Sequence, residues 1–152
     1  MTTVHWNRPS LIAFALLCAL SPSAFAACTI ATPADWSAGS ARWDGECTGN
    51  TANGLGVLKE QQGAAVKRWF YGRVENGELA EGVIEVPEQG FVAGRFEHGR
   101  VLASDERQTL IAAFEVAAQA AAAAAERFTQ AGNSASATFY RSKEQALREQ
   151  LD

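Results

Sequence analysis

Cys28, Cys47, His98 and the five glutamates Glu75, Glu78, Glu81, Glu85 and Glu88 are the groups in this chain whose types and spacing could do chemistry. His98 stands beside Gly99 in a turn pattern, with no nucleophile, base and orienting group around it. It reads as a solvated turn residue. Past residue 26 the chain has one His and two Cys, too few for a metal site, and no Gly-Lys-Ser/Thr loop offers a phosphate cradle. No metal and no cofactor is expected. The glutamates surround one hairpin. A carboxylate pair for glycoside hydrolysis needs one partner in an apolar setting that raises its pKa, and the sequence marks neither. The charges read as a solvated edge that discourages aggregation. The chain is therefore expected not to be an enzyme.

Aromatic side chains are the better lead. Trp69 and Tyr71 flank Phe70, so in a strand they point away from its face. Either a further layer covers them or, with Trp36, they form a binding surface. Aromatic platforms stack on sugars, peptides or partner proteins. Contact with an unidentified protein partner is the leading expectation, with self-association as a variant. A cell-envelope glycan binder or hydrolase, or a small inhibitor or immunity-type protein, are the alternatives.

The chain has a net charge of −4, which suits neither nucleic acid nor an anionic lipid surface. Its N-terminus follows the order of a secretory signal. A polar start with Arg8 precedes the apolar run Leu11–Leu20, Ser21-Pro22-Ser23 breaks it, and Ala24-Phe25-Ala26 fits a signal-peptidase site. The apolar run is too short to span a bilayer. Residues 1–26 are thus expected to be removed, with the product periplasmic or secreted. Cys18 leaves with them, and Cys28 and Cys47 remain as an even pair that reads as a disulfide. A rival reading takes Phe25-Ala26-Ala27-Cys28 as a lipobox, with Cys28 lipidated and the chain held at a membrane. It would leave Cys47 unpaired, which counts against it.

The elements that must position these residues come in two blocks. From Arg42 to Ala103, strand-length apolar stretches alternate with Gly-bearing turns: Arg42–Cys47, Leu55–Glu60, Val66–Val74, Leu79–Val86, Phe91–Phe96 and Arg100–Ala103. Asn76-Gly77 is the strongest turn, since both residues accept the positive φ of a type I′ hairpin. A small motif returns three times: Trp43-Asp44-Gly45-Glu46-Cys47, Phe70-Tyr71-Gly72-Arg73-Val74 and Val92-Ala93-Gly94-Arg95-Phe96. Gly77 and Gly99 follow the latter two at one fixed offset. Gly between two bulky neighbours on one face leaves a notch, which the ring of a neighbouring repeat is expected to fill.

The pattern aromatic-x-Gly-x-aromatic followed by a second Gly resembles the MORN repeat. Phe70 to Gly77 and Val92 to Gly99 match its first half, and Gly54-Leu55-Gly56 matches the Gly-x-Gly of its second. Cys47 and Val74 stand where an aromatic is usual, the first copy has a stretched turn, and Gly82-Val83-Ile84 lacks a second Gly. The resemblance implies a single sheet of stacked hairpins used for protein contact, with no catalytic residue. The lipid contact proposed for such repeats transfers badly, because Lys59, Lys67, Arg68, Arg73 and Arg95 are scattered among acids.

Beyond residue 103 the pattern turns helical. Asp105 as N-cap and Gln108 form a capping-box pattern, an Ala-rich run follows, and Gly132-Asn133 stops it. Leu110, Phe114, Ala117, Ala121, Ala124 and Phe128 make one stripe. A second helix is predicted over Ser134–Leu151, with Phe139, Tyr140, Leu147 and Leu151 along one side. The expected fold is α+β: a signal in 1–26, an antiparallel meander of about six strands in 27–103, and a helical segment in 104–152 that covers the sheet or pairs with another chain.

Overall fold

The computed structural model describes residue 2 and residues 28–152. The signal sequence, the apolar run and Cys18 lie outside the described residues. Six strands form one antiparallel sheet in chain order: β1 (Ala41–Thr48), β2 (Thr51–Gln62), β3 (Ala65–Glu75), β4 (Glu78–Val86), β5 (Gly90–Glu97) and β6 (Arg100–Val101). Two helices follow, α1 (Arg107–Gln130) and α2 (Ser134–Arg148), and a 3₁₀ turn over Glu149–Leu151 tightens the end of α2. The α+β class and the meander are those the sequence predicts. Asn76 (φ 49) and Gly77 (φ +83) make the positive-φ turn between β3 and β4.

Register puts five glycines opposite one another: Gly45 faces Gly56, Gly56 faces Gly72, Gly72 faces Gly82, and Gly82 faces Gly94. This line crosses five strands. The expected notch is real, but its occupant differs. Trp43 folds over Gly45 and Gly56, and Phe70 over Gly72 and Gly82, so each ring closes on its own strand and the next rather than on a neighbouring repeat. Val101 stands over Gly94.

The stretched first turn proves to be something else. The turn is short, at Gly49-Asn50, and β2 begins at Thr51; the extra length is a bulge between Gly45 and Cys47, beside which the Glu46 side chain crosses Gly54.

Each sheet face has its own cover. The face of Phe70, Leu58, Val74 and Phe96 packs under the N-terminal segment 28–40 through Trp36, Ile30 and Cys28. That strap is tied down by the Cys28–Cys47 disulfide, with Cα atoms 6.3 Å apart, and by backbone bonds from Thr29 and Ala31 N–H to the Asn50 and Gly77 carbonyls (both 2.7 Å). The face of Val57, Tyr71 and Val83 packs under α1. By length and composition α1 could cross a bilayer, but its alanines lie against the sheet and α2. Ala113, Val116, Ala117, Ala118, Ala120, Ala121, Ala124 and Ala125 are buried, a wider band than the predicted stripe. Its start is corrected as well. Glu106, not Asp105, is the N-cap; its carboxylate accepts from the Thr109 hydroxyl but caps no backbone N–H, while the Ser104 hydroxyl accepts the Glu106 N–H at 3.2 Å; the capping box does not form.

Candidate functional site: an aromatic cleft between sheet and second helix

Trp69 lies on the helix-side face of β3, opposite Lys59 of β2 and Glu85 of β4. α1 crosses the sheet over the neighbouring row, and α2 packs along α1 and reaches the sheet beside Trp69. Asn133 starts α2 by accepting the Ser136 N–H at 3.0 Å. One turn later the helix presents two consecutive rings that cannot point the same way. Tyr140 turns inward and stacks on Phe128 of α1 at 5.4 Å, while Phe139 stays outside, 38% exposed, 6.3 Å from Trp69. Between sheet and α2 is left a cleft of about 340 Å³, lined by Lys59, Val66, Trp69, Ser136, Phe139 and Tyr140.

The charges around this cleft are already engaged. Lys143 of α2 donates to Glu85 at 2.6 Å, and the Tyr71 hydroxyl donates to the other oxygen of Glu85 at 3.2 Å. The Lys143 ammonium also lies 5.7 Å from the Trp69 ring and 5.3 Å from that of Phe139. Lys59 sits over Tyr140 and Phe128, and 4.0 Å from Asp44, which Arg127 of α1 also binds through its carbonyl at 2.8 Å. Burial, then the nearby Glu85 charge, pushes the Tyr71 phenol far above its usual range. Burial raises that of Tyr140 as well, against the opposing pull of Lys59. What remains open in the cleft is apolar. It can take an aromatic or aliphatic side chain. It holds no nucleophile with a base beside it.

The three predicted binding aromatics therefore part company. Trp69 lines the cleft. Tyr71 is fully buried under α1, because α1 takes the row on which it stands, and it belongs to the core rather than to a surface. Trp36 is on the opposite face, 6% exposed, beneath the Arg68 guanidinium at 5.3 Å, and its indole N–H has no hydrogen-bond partner. It too is not a surface residue. Of the glutamates, Glu85 is drawn to Lys143 and Tyr71, and Glu78 lies 3.8 Å from the exposed His98. Among the described residues no three His, Cys, Asp or Glu side chains cluster as metal ligands. Sequence reasoning placed Phe139 with Tyr140 on one side of the second helix, not in a site, and passed over Lys143. The signal for Phe139 was its adjacency to Tyr140, since one of two successive helix residues must leave the stripe.

No family model matches the chain, and neither a curated protein nor a solved structure is similar to it.

Proposed function

We propose that this protein is a MORN-like binding module of the periplasm or of a secreted compartment, which recognises a partner protein by seating one of its apolar or aromatic side chains between Trp69 and Phe139. The observation that carries this reading is the open cleft itself. It is concave, walled by large rings, and its neighbouring charges are already paired, which is how binding anchors are built. The disulfide, which suits an oxidising environment, and the signal-like N-terminus support the compartment. A Cys28 held by Cys47 is not free to carry lipid, which supports processing after Ala26. The lining residues offer binding and no catalysis. A flat sugar platform is disfavoured, because the Trp69 and Phe139 planes are tilted by 41°.

The test is an affinity capture from envelope extract of the source, with the chain from Ala27 to Asp152 as bait and mass-spectrometric identification. One protein recovered in stoichiometric amount is expected. Its affinity should fall by roughly 2 kcal/mol or more in Phe139→Ala, the range of a binding hot spot. A partner held equally well by Phe139→Ala and Trp69→Ala variants of native circular dichroism would overturn the assignment. Retention on glycan beads instead would move it to a carbohydrate ligand.

A further inference from the structure

The strap covers only half of its sheet face. It reaches across to the β5–β6 turn, where the Ala34 N–H donates to the Gly99 carbonyl at 3.2 Å, and there turns back over β3 and β2, where the Asp35 carbonyl accepts from Arg68 and the Ser37 N–H donates to Glu60. Beyond it the same face continues over β4 and β5 with Ile84, Val86 and Val92, none of them buried. Val101 of β6 closes the far side. The result is a groove of about 410 Å³ with an apolar floor, one wall from the strap and one from β6. Two of the five large apolar side chains exposed among the described residues, Val92 and Val101, line it. Water is poorly displaced from such a patch unless something covers it.

Two arginines line the groove, and they differ. Arg68 is committed, to Glu60 at 2.5 Å and to the Asp35 carboxylate of the strap. Arg100 has no acidic partner among the described residues. Its position is built rather than incidental. A Cβ on Gly99 would lie 2.9 Å from the Ala34 nitrogen, so only glycine lets the turn press on the strap and hold Arg100 and Val101 at the rim. One uncompensated guanidinium at the end of an apolar floor is complementary to a carboxylate beside apolar side chains. A lipid surface would need several such cations.

We propose that this groove is a second docking site, independent of the Trp69 cleft, for an extended segment of a partner protein that runs along β4, lays apolar side chains at alternate positions over Ile84 and Val86 beside Val92, and sets an Asp or Glu on Arg100. Alternation suits the floor, because the strands beneath repeat every second residue. The protein would then be bivalent, with one site on each face of its sheet.

A random peptide library displayed on phage, selected on the disulfide-bonded chain, tests this. Enriched sequences should carry apolar residues at alternate positions flanked by Asp or Glu. Made as free peptides, they should bind about tenfold more weakly to Val92→Lys and to Arg100→Glu, each about 1.4 kcal/mol, and unchanged to Phe139→Ala. A peptide with its acid replaced by Lys should regain affinity for Arg100→Glu. Both substitutions are on the surface, and circular dichroism checks that each variant is folded. Peptides weakened by Phe139→Ala but indifferent to Val92→Lys would overturn the groove without touching the cleft, and so would a selection that enriches nothing. A dimer lost in Val92→Lys would give the groove to a second copy of this chain and overturn the partner assignment.

Discussion

Gly72 of β3 lies directly opposite Gly82 of β4, and the Phe70 ring closes over both. A Cβ on Gly72 would stand 2.3 Å from the Glu81 carbonyl oxygen, 2.6 Å from the Phe70 ring and 2.9 Å from the Gly82 Cα. The same arrangement recurs where Trp43 covers Gly45 and Gly56. The glycines are there for what lies on top of them. Without side chains they let a ring lie flat on two strands, and that ring becomes the core of the face the strap covers.

Gly72→Ala is therefore expected to destabilise the chain by about 1–3 kcal/mol, the usual cost of overpacking. Phe70→Leu in the same background should recover only part, because the Glu81 carbonyl is backbone and cannot move aside. Urea unfolding monitored by tryptophan fluorescence measures both. An unchanged midpoint for Gly72→Ala would mean the glycine line is not a packing feature.

Much of this fold was legible because turns and periodicity are local. Asn76-Gly77 sets its hairpin by φ alone, and the period-two pattern around Phe70 separates the two faces correctly. What was not legible depends on which layer comes to which face. Tyr71 and Trp69 are two residues apart on one face, yet α1 covers the first and α2 only reaches the edge of the second. Nothing in either residue's neighbourhood encodes that. The bulge at Gly45–Cys47 was hidden for a related reason: its extra residue reads in sequence like a longer turn. The groove over Val92 required knowing where the strap turns back, which the Ala34–Gly99 contact marks.

Glu60 and Arg68 form an ion pair of which the acid is almost wholly buried, 1% exposed, and which also receives the Ser37 N–H at 3.1 Å. Burial alone would raise the Glu60 pKa; the Arg68 hydrogen bond and the Ser37 N–H outweigh it and hold the carboxyl below its usual range. Removing Arg68 leaves that charge unmatched, so Arg68→Met should cost about 3–5 kcal/mol. A depressed folded pKa contributes stability that is present above the unfolded value and lost as pH falls through the folded one. Thermal unfolding between neutral pH and pH values below the normal glutamate range should thus show a steep acid loss that is shallower in Glu60→Gln. Parallel acid slopes in the two proteins would sink this account.

The Cys28–Cys47 bridge spans 19 residues of separation and anchors the strap to β1. Reduction, or the Cys28→Ala, Cys47→Ala pair, should lower stability by about 3 kcal/mol through the freed chain entropy. The helix side of the sheet shares no strap contact, so the Trp69 cleft should survive where the protein remains folded. Denaturation with and without reductant, followed by partner binding on the reduced form, checks both parts. A reduced protein of equal stability would show that the backbone bonds of Thr29 and Ala31 suffice to hold the strap.

Tyr71 and Tyr140 are the only two tyrosines, so phenol absorbance reports on the α1 interface alone. Both are held neutral above the normal range, Tyr71 by burial and the Glu85 charge, Tyr140 chiefly by burial. A folded pKa raised above the unfolded value of about 10 means stability that is complete below that pH and falls as pH rises beyond it. In an alkaline titration neither ring should ionise gradually near pH 10. Absorbance at the tyrosinate band should instead rise in one cooperative step, coincident with loss of circular dichroism. Tyr71→Phe removes the proton linkage but also the bond to Glu85. It should therefore be about 0.5–1.5 kcal/mol less stable at neutral pH, yet lose less stability per pH unit in alkali. The two stability curves should converge as pH rises. A gradual ionisation of one tyrosine with the native spectrum intact would place that ring in solvent and contradict the packing of α1 on the sheet.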